Sequence, residues 1–219
     1  MIPYNKESVG YISLMATQEN HQASNNRELS DGDIVVASLA SPDAFSGIVE
    51  RYWDRLFRYV RRISFSSDED IEDILQETFI KVYKNLNAFD GDLTFSTWIY
   101  HICRNTVIDA IRKKSSRPKT VGLDTEDFSH LFQDPENITQ TIDIKDKLEK
   151  ISAIITSLPL LYREVLILKF LEEKSYDEIM DIVEKPKGTV ASLINRGRKL
   201  LKEEAKKQGI YHHFDESAT

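Results

Sequence analysis

Apolar residues recur at helical spacing along two stretches of the chain, and a long polar interval separates the stretches. In the first stretch they follow each other by three or four residues in segments 45–60, 71–82 and 99–110. In the second stretch the same spacing governs residues 142–155, 158–170 and the segment after Gly188. No alternating strand pattern and no internal repeat appears in the sequence. The pattern predicts an all-α protein with two helical modules.

Polar residues predict where several helices of the first module begin. Ser30 or Asp31 can cap one helix, and the acids that follow Ser67 suit the positive end of the next helix dipole. The turn NAFDGDLT then precedes a helix that we expect from about Phe95 to Lys114. This helix also carries polar and aromatic side chains away from its apolar face.

The second module ends in a short capped helix, a turn and a second helix. Ser175 and Glu178 form a capping box, in which each side chain satisfies the other residue's free amide. Pro186 and Gly188 mark the turn, and GTVASLINRGRKLL follows. On a helical wheel its apolar side consists of Val190, Leu193, Ile194, Gly197, Leu200 and Leu201. The opposite side holds Ser192, Asn195 and Lys199, flanked by Ala191, Arg196 and Lys202.

This arrangement predicts a helix-turn-helix that places its second helix in the major groove of DNA. Asn and Arg side chains can pair with base edges, and Lys and Arg side chains suit phosphates. A helix-turn-helix used only for packing is the alternative for this segment taken alone.

Charge is distributed in blocks, although the 219 residues carry a formal net charge of only −7. Residues 68–77 hold six acids and no base, and residues 123–149 hold eight acids and two bases. Basic blocks occupy 104–117, with five bases and one acid, and 185–207, with eight bases and two acids. Such blocks predict different faces for different partners.

Several classes of protein are disfavoured by composition. The single cysteine, Cys103, allows neither an internal disulfide nor a paired-cysteine zinc site. The N-terminus lacks the basic start and apolar core of a secretory signal, and no run approaches the roughly 18 apolar residues of a membrane helix. We therefore expect a cytoplasmic protein that does not insert into a membrane.

Two ordered sets of motifs resemble a known family. DIEDILQETFIKVYKNLNAF followed by FSTWIYHICRNTVIDAIRKK resembles region 2 of bacterial sigma factors. LPLLYREVLILKFLEEKSYDEI followed by GTVASLINRGRKLL resembles their region 4. Since an acidic linker replaces region 3, the chain is similar to the extracytoplasmic-function (group IV) subfamily of the sigma-70 class.

The resemblance implies two small helical domains, a region 2 bundle and a region 4 helix-turn-helix, joined by a flexible acidic linker. The boundaries that we predict are a disordered N-terminal extension at 1–28, region 2 at 29–115, the linker at 116–140, region 4 at 141–208 and a C-terminal tail at 209–219. The linker acids are expected to mimic nucleic acid in the polymerase channel.

The resemblance also implies a transcription initiation factor without enzymatic activity or cofactor. Its partners would be core RNA polymerase, through the β′ coiled coil and the β flap, promoter DNA in duplex and single-stranded form, and an anti-sigma protein. The positions that match the family's polymerase-binding helix are Asp73, Gln76, Glu77 and Phe79. The positions for the minus-ten element are Phe95, Thr97, Trp98, His101, Asn105, Arg112 and Lys113. Those for the minus-thirty-five element are Lys187, Thr189, Ser192, Asn195, Arg196 and Lys199.

The sequence departs from the family pattern in the helix-turn-helix. Members commonly carry basic residues where this chain has Ala191 and Leu193, and a glycine where it has Glu184. We expect a reading face with less charge than usual, for which Lys185 and Lys187 compensate. For Trp98, packing in the core is an alternative to stacking on bases.

Two other functions are alternatives to that of a sigma factor. A helix-turn-helix regulator that acts without polymerase would leave the DILQETF and FSTW motifs unexplained. A metal-dependent hydrolase would use Asp70, Asp73 and Glu77, which share one helix face, but no second cluster completes an octahedral site.

Overall fold

The computed structural model describes residues 29–114 and 153–207, and these form two compact units. The first unit contains residues 29–60 and 67–114, and the second contains 61–66 and 153–207. All regular structure within the described residues is helical, which confirms the all-α prediction for them. Across these same residues no helix is long and apolar enough to cross a membrane.

The helices in the first part of the chain are α1 (Asp31–Ala40), α2 (Ser46–Ser64), α3 (Asp68–Asn85) and α4 (Phe95–Lys114). Short 3-10 turns precede α2 and follow α3. Ser30 caps α1 and Ser67 caps α3, each by accepting a hydrogen bond from a backbone amide three residues later. Both caps confirm the starts that the sequence predicts.

The core of the first unit forms where α2, α3 and α4 bury their apolar faces. Tyr52, Leu56, Leu75, Phe79 and Ile99 are at most 1% exposed. Residues of this size each contribute roughly 1.5–3 kcal/mol when fully buried. Cys103 lies on the same buried face of α4, so its thiol is part of the packing.

The carboxylate of Asp31 links α1 to α2. Asp31 accepts hydrogen bonds from the Tyr52 hydroxyl at 2.5 Å and from Arg51 Nη1 at 2.9 Å. Burial, reinforced by the neighbouring Asp31 carboxylate, raises the pKa of Tyr52 above its ordinary value, so the hydroxyl remains a donor. This contact fixes the ring of Tyr52 beside the start of α4.

The second unit contains a helical stretch at 153–157 and the helices α5 (Leu160–Phe170), α6 (Tyr176–Val183) and α7 (Lys187–Lys207). Helix α7 packs on α5 and on α6. Arg163 Nη2 donates to the carbonyl oxygens of Thr156 and Leu158, both at 2.9 Å, and so holds the turn that precedes α5. Burial lowers the pKa of Arg163 to about 10, which leaves the guanidinium charged at neutral pH.

Several predicted segments lie outside the described residues. They are the N-terminal extension at 1–28, the acidic linker at 116–140, the helical pattern that begins near Ile142 and the tail at 209–219.

Candidate nucleic-acid interfaces

Helix α4 begins at a loop that local hydrogen bonds fix. The Thr94 hydroxyl accepts from the Thr97 amide at 3.2 Å, and the Thr94 carbonyl accepts from the Trp98 amide at 3.1 Å. Earlier in the loop the Asp90 carboxylate accepts from the Asp92 amide at 3.0 Å, around Gly91 with a φ of +83°. The loop therefore delivers Phe95 and Trp98 to one end of the bundle in a defined position.

Phe89, Phe95 and Trp98 form an aromatic cluster at this end of α4. Their ring centroids lie 5.4 Å apart for Phe89 and Phe95, 5.3 Å for Phe89 and Trp98, and 5.7 Å for Phe95 and Trp98. Phe95 is 3% exposed, whereas Phe89 and Trp98 are half-buried. The two outer rings thus rest on a buried one and keep part of their surface available for stacking.

The predicted minus-ten residues occupy different depths along α4. Phe95 and Thr97 are buried, so they lie beneath the surface of the helix and support the residues around them. Trp98, His101 and Asn105 are half-buried, and Asn105 Oδ1 accepts from Arg104 Nη1 at 3.3 Å. Arg112 and Lys113, towards the end of the helix, are exposed.

Sequence reasoning missed Phe89 as a member of this site. The sequence signal for Phe89 is an aromatic residue directly before the Asp-Gly-Asp turn. Its contact with Trp98 could not be predicted, because the two residues are nine positions apart and a turn lies between them. Trp98 itself is half-buried, and its ring contacts both Phe89 and Phe95.

The predicted polymerase-binding residues lie on α3. Asp73 and Glu77 are exposed, and Gln76 is half-buried. Phe79 is fully buried and its ring stacks on Trp53 with centroids 5.9 Å apart, so it supports this helix from inside the core. The surface of α3 therefore offers the acids, and not the aromatic ring, to a partner.

Lys81 joins α3 to α4 beside these acids. Its ammonium lies 2.8 Å from Glu77 Oε1 and donates to Thr106 Oγ1 at 3.1 Å. Glu77 is half exposed at 50%, so it keeps a solvent-facing carboxylate while its position is fixed.

The helix-turn-helix of the second unit begins with the predicted capping box. The Ser175 hydroxyl accepts from the Glu178 amide at 3.1 Å, and Glu178 Oε2 accepts from the Ser175 amide at 2.9 Å. Lys174, which is 4% exposed, donates to the other oxygen of Glu178 at 3.3 Å. Burial tends to raise the pKa of Glu178, but the bonds from Ser175 and the charge of Lys174 outweigh it and lower the pKa.

Glu184 ends α6 in the left-handed conformation, with φ 53° and ψ 48°. This region favours glycine, because a Cβ atom crowds the backbone there. The amides of Thr189 and Val190 then donate to the Pro186 carbonyl at 2.8 and 3.0 Å, which starts α7. The glycine that the family pattern places here thus has a conformational reason, and this chain forms the turn with a glutamate.

Helix α7 presents most of its predicted reading face to solvent. Thr189, Asn195, Arg196 and Lys199 are exposed, and Ser192 is half-buried. The buried side consists of Val190, Ile194, Gly197, Leu201 and Ala205. Leu200, which the helical wheel assigns to the apolar side, is 37% exposed. At about 100° per residue it lies roughly 80° from Val190, at the border of the apolar face.

Lys187 is held by an ion pair within the helix-turn-helix. Its ammonium lies 2.7 Å from one oxygen of Asp177 and donates to the other at 3.0 Å. The lysine that was expected to add charge to the reading face therefore has a carboxylate beside it.

At Gly197, α7 comes close to α5. A Cβ atom built on it would lie 3.2 Å from both Cγ and Cδ1 of Leu166. The absence of a side chain thus allows the reading helix to sit directly on the buried face of α5.

No metal site accompanies these surfaces in the part of the chain that the structure describes. There, no group of three histidine, cysteine, aspartate or glutamate side chains comes close enough to hold an ion.

Comparisons with known protein families match both units. The family described as Sigma-70 region 2 matches residues 48–117, and Sigma-70, region 4 matches residues 148–201. The first match contains the aromatic cluster and the acids of α3, and the second contains the helix-turn-helix.

Two similar solved structures show the fold at low sequence identity. CnrH, solved in complex with the cytosolic domain of CnrY, has a TM-score of 0.58 at 19% identity and covers 80% of this chain and 96% of its own. The sigma factor RpoE from Bartonella quintana, solved with the anti-sigma factor NepR, has a TM-score of 0.57 at 19% identity, covering 74% and 96%.

Curated relatives are similar over most of their length. The ECF RNA polymerase sigma factor SigW of Bacillus subtilis (strain 168) is 36% identical over 172 residues, which cover 74% of this chain and 89% of SigW. The ECF RNA polymerase sigma-E factor of Escherichia coli (strain K12) is 31% identical over 166 residues, covering 72% and 84%. Because these relatives are more than 30% identical over more than two thirds of this chain and of their own length, the chain belongs to the extracytoplasmic-function family of RNA polymerase sigma factors.

Proposed function

We propose that this sigma factor uses its first unit to capture the melted minus-ten element and its second unit to read the minus-thirty-five duplex. The observation that carries the proposal is the pair of half-buried rings, Phe89 and Trp98, resting on buried Phe95. Unstacked bases gain roughly 1–3 kcal/mol each on such platforms, which offsets the few kcal/mol needed to leave the duplex.

The groups around the rings suit a single strand. Asn105 lies two turns beyond Trp98 along α4 and supplies an amide for the hydrogen-bonding edge of a base. Arg112 and Lys113 extend the same helix with exposed positive charge for the phosphates. His101 lies between Trp98 and Asn105 along the helix and completes its polar side.

The minus-thirty-five contacts that we propose come from the exposed residues of α7. Asn195 and Arg196 would meet base edges, while Lys187, Thr189, Ser192 and Lys199 would contact the backbone or the groove. Ala191 and Leu193 are half-buried, so this face reads DNA with few charged groups.

The polymerase contacts that we propose lie on α3, at Asp73, Gln76 and Glu77. An acidic rim of this kind increases the association rate and fixes the register on a basic partner more than it increases affinity. RNA synthesis itself would remain with the polymerase, and the protein would act in the cytoplasm, where the chromosome is transcribed.

A test begins with purified core RNA polymerase and a library of genomic fragments. We expect the protein to bind core in the absence of DNA and to direct transcription from discrete start sites. Alanine at Asp73 and Gln76 should weaken core binding without unfolding the first unit. Binding of duplex DNA without core binding would instead leave a regulator that acts alone.

We also propose an anti-sigma partner that covers the promoter-binding surfaces. This proposal is supported by the related RpoE of Bartonella quintana, which was solved with such a factor. A pulldown from the source organism that recovers core polymerase but no inhibitor of transcription would contradict it.

A further inference from the structure

Two exposed arginines on α2 have no part in the function proposed so far. Arg55 and Arg58 are three residues apart, so they lie on the same face of the helix. Within the described residues neither guanidinium pairs with a carboxylate. By contrast, the preceding Arg51 is engaged by Asp31 and by the Leu29 carbonyl.

A chain of ring contacts connects this face to the aromatic cluster. The guanidinium carbon of Arg55 lies 5.7 Å from the centroid of the Tyr52 ring. Tyr52 meets Phe95 edge to face with centroids 5.6 Å apart, and Phe95 in turn lies 5.7 Å from Trp98. Asp31 accepts a hydrogen bond from the Tyr52 hydroxyl, so the ring between Arg55 and the aromatic cluster is held in place.

A single strand whose base stacks on Phe89 and Trp98 must continue past one side of the cluster. Proteins that hold single strands combine aromatic platforms with positive charge that follows the backbone. Arginine suits this task because its planar guanidinium can donate two hydrogen bonds to one phosphate. Arg112 and Lys113 supply such charge farther along α4, and Arg55 and Arg58 supply it on α2.

We propose that Arg55 and Arg58 bind the phosphates of the non-template strand where it leaves the aromatic cluster towards α2. The inference rests on the proposed capture of the minus-ten strand by that cluster. Contacts of this kind position the strand and carry no sequence information.

A purely structural role for Arg55 is the alternative. A cation–π contact at an exposed site contributes about 0.5–1 kcal/mol to stability, and Arg55 makes one with Tyr52. Arg58 makes no comparable ring contact within the described residues. Its exposure on the same face is therefore not explained by packing.

The test uses holoenzyme and the strongest promoter found in the fragment library, with mismatches that keep the minus-ten bases unpaired. The variants are Arg55→Gln, Arg58→Gln and the double variant. Lys84→Gln is the matched control, because Lys84 is an exposed base at the end of α3 in the same unit. We expect the double variant to bind the template about tenfold more weakly, while Lys84→Gln binds as the wild type does.

Salt dependence separates phosphate contacts from packing. Each phosphate contact to a single strand contributes roughly 0.7 to the magnitude of the slope of log affinity against log salt. The slope of the double variant should therefore be smaller in magnitude by about 1.4. A lost packing contact would lower affinity without changing this slope. If Arg55→Gln lowers the thermal stability, the Arg58→Gln variant alone tests the inference. Its slope of log affinity against log salt should then decrease in magnitude by about 0.7.

Neutral methylphosphonate linkages then locate the contact. Replacing the phosphates one by one should weaken binding by the wild type at one or two positions next to the stacked base, and the double variant should be insensitive there. Equal affinity, equal salt slopes and equal sensitivity for wild type and double variant would overturn the inference. Wild-type protein that fails to bind core or to initiate would overturn the proposed function, and this inference with it.

Discussion

Lys187 at the first position of α7 donates to Asp177 in the first turn of α6, so an acid of the supporting helix holds a base of the reading helix. Both side chains are largely exposed, at 60% and 65%, and such a pair contributes at most about 1 kcal/mol to stability. The pair therefore matters more for DNA than for folding. A phosphate must compete with Asp177 for the ammonium.

Asp177→Asn should release Lys187 and increase affinity for minus-thirty-five duplex DNA by about two- to fivefold. The magnitude of the salt slope should increase by up to about 0.9, as expected for one further phosphate contact to a duplex. Binding titrations at several salt concentrations would measure both effects. Glu173→Gln is the matched control, since it removes an exposed acid from the same unit without touching Lys187. A gain that persists in a Lys187→Gln background would refute the explanation.

Trp98→Ala should reduce open-complex formation about 5- to 150-fold, which corresponds to the roughly 1–3 kcal/mol of one stacked base. Core binding should not change, because Trp98 lies on α4, whereas the acids proposed to contact polymerase lie on α3. Trp98→Phe should restore most of the loss. Permanganate reactivity of unpaired thymines would report melting.

Trp53→Phe provides the comparison with the other tryptophan. Trp53 stacks on buried Phe79, so this variant should lower the free energy of unfolding and leave melting by the remaining folded protein intact. Equal melting defects in the two tryptophan variants would contradict the role of the aromatic cluster.

Gly197→Val should destabilise the second unit by about 1–3 kcal/mol, because its side chain would meet Leu166 where even a Cβ atom is only 3.2 Å away. Denaturant titration would measure the loss. In a Leu166→Ala background the cost should become smaller, since the obstructing atoms are gone. Gly188→Ala is the control, because nothing lies within 4 Å of a Cβ atom there. Additive losses in the double variant would show that the contact is not the cause.

Glu184→Gly should stabilise the helix-turn-helix by about 0.5–1 kcal/mol, since glycine adopts φ 53° without steric cost. Glu184→Ala removes the same carboxylate but keeps a Cβ atom, and it should show no such gain. Thermal unfolding of the two variants separates conformation from charge. Equal stabilities would indicate that the left-handed backbone is not under strain.

The stability of the second unit should fall in acid through Glu178. Its pKa in the folded protein lies below the ordinary 4.5, so the unfolded chain takes up the proton more readily. The stabilising contribution is therefore present above about pH 4.5 and is lost as the pH falls through the folded pKa. Because Glu178 is partly solvent-exposed, we expect less than about 1 kcal/mol.

Glu178→Gln keeps the shape of the capping residue and removes the titration. The difference in unfolding free energy between wild type and variant should shrink on acidification from about pH 6 to about pH 3. A constant difference over this range would contradict the assignment to Glu178.

Much of the fold could be predicted because helix starts depend on local chemistry. Ser30, Ser67 and Ser175 each cap a helix through atoms three residues away, so short sequence windows contain the information. The start of α4 at Phe95 and the end of α6 at Val183 were predicted for the same reason.

The functional surfaces could be predicted less completely, because they depend on contacts between distant residues. Phe89 joins Trp98 only after the loop has turned, and Arg55 approaches the cluster only through Tyr52 and Phe95. The Asp177 contact of Lys187 likewise depends on how α6 and α7 cross. Leu200 lies at the border of the apolar face and is 37% exposed, which could not be predicted because a helical wheel cannot say how wide the covering surface is.

Both tryptophans of the chain, Trp53 and Trp98, lie in the first unit. Trp53 stacks on buried Phe79, whereas Trp98 is a half-buried member of the aromatic cluster. Intrinsic emission excited selectively at indole therefore comes from this unit alone, and a Trp53→Phe protein would carry a single optical reporter at the place where a base is expected to stack. Quenching of that fluorescence would report strand capture in real time without any label. DNA binding by the helix-turn-helix would not change the signal, because that unit contains no tryptophan.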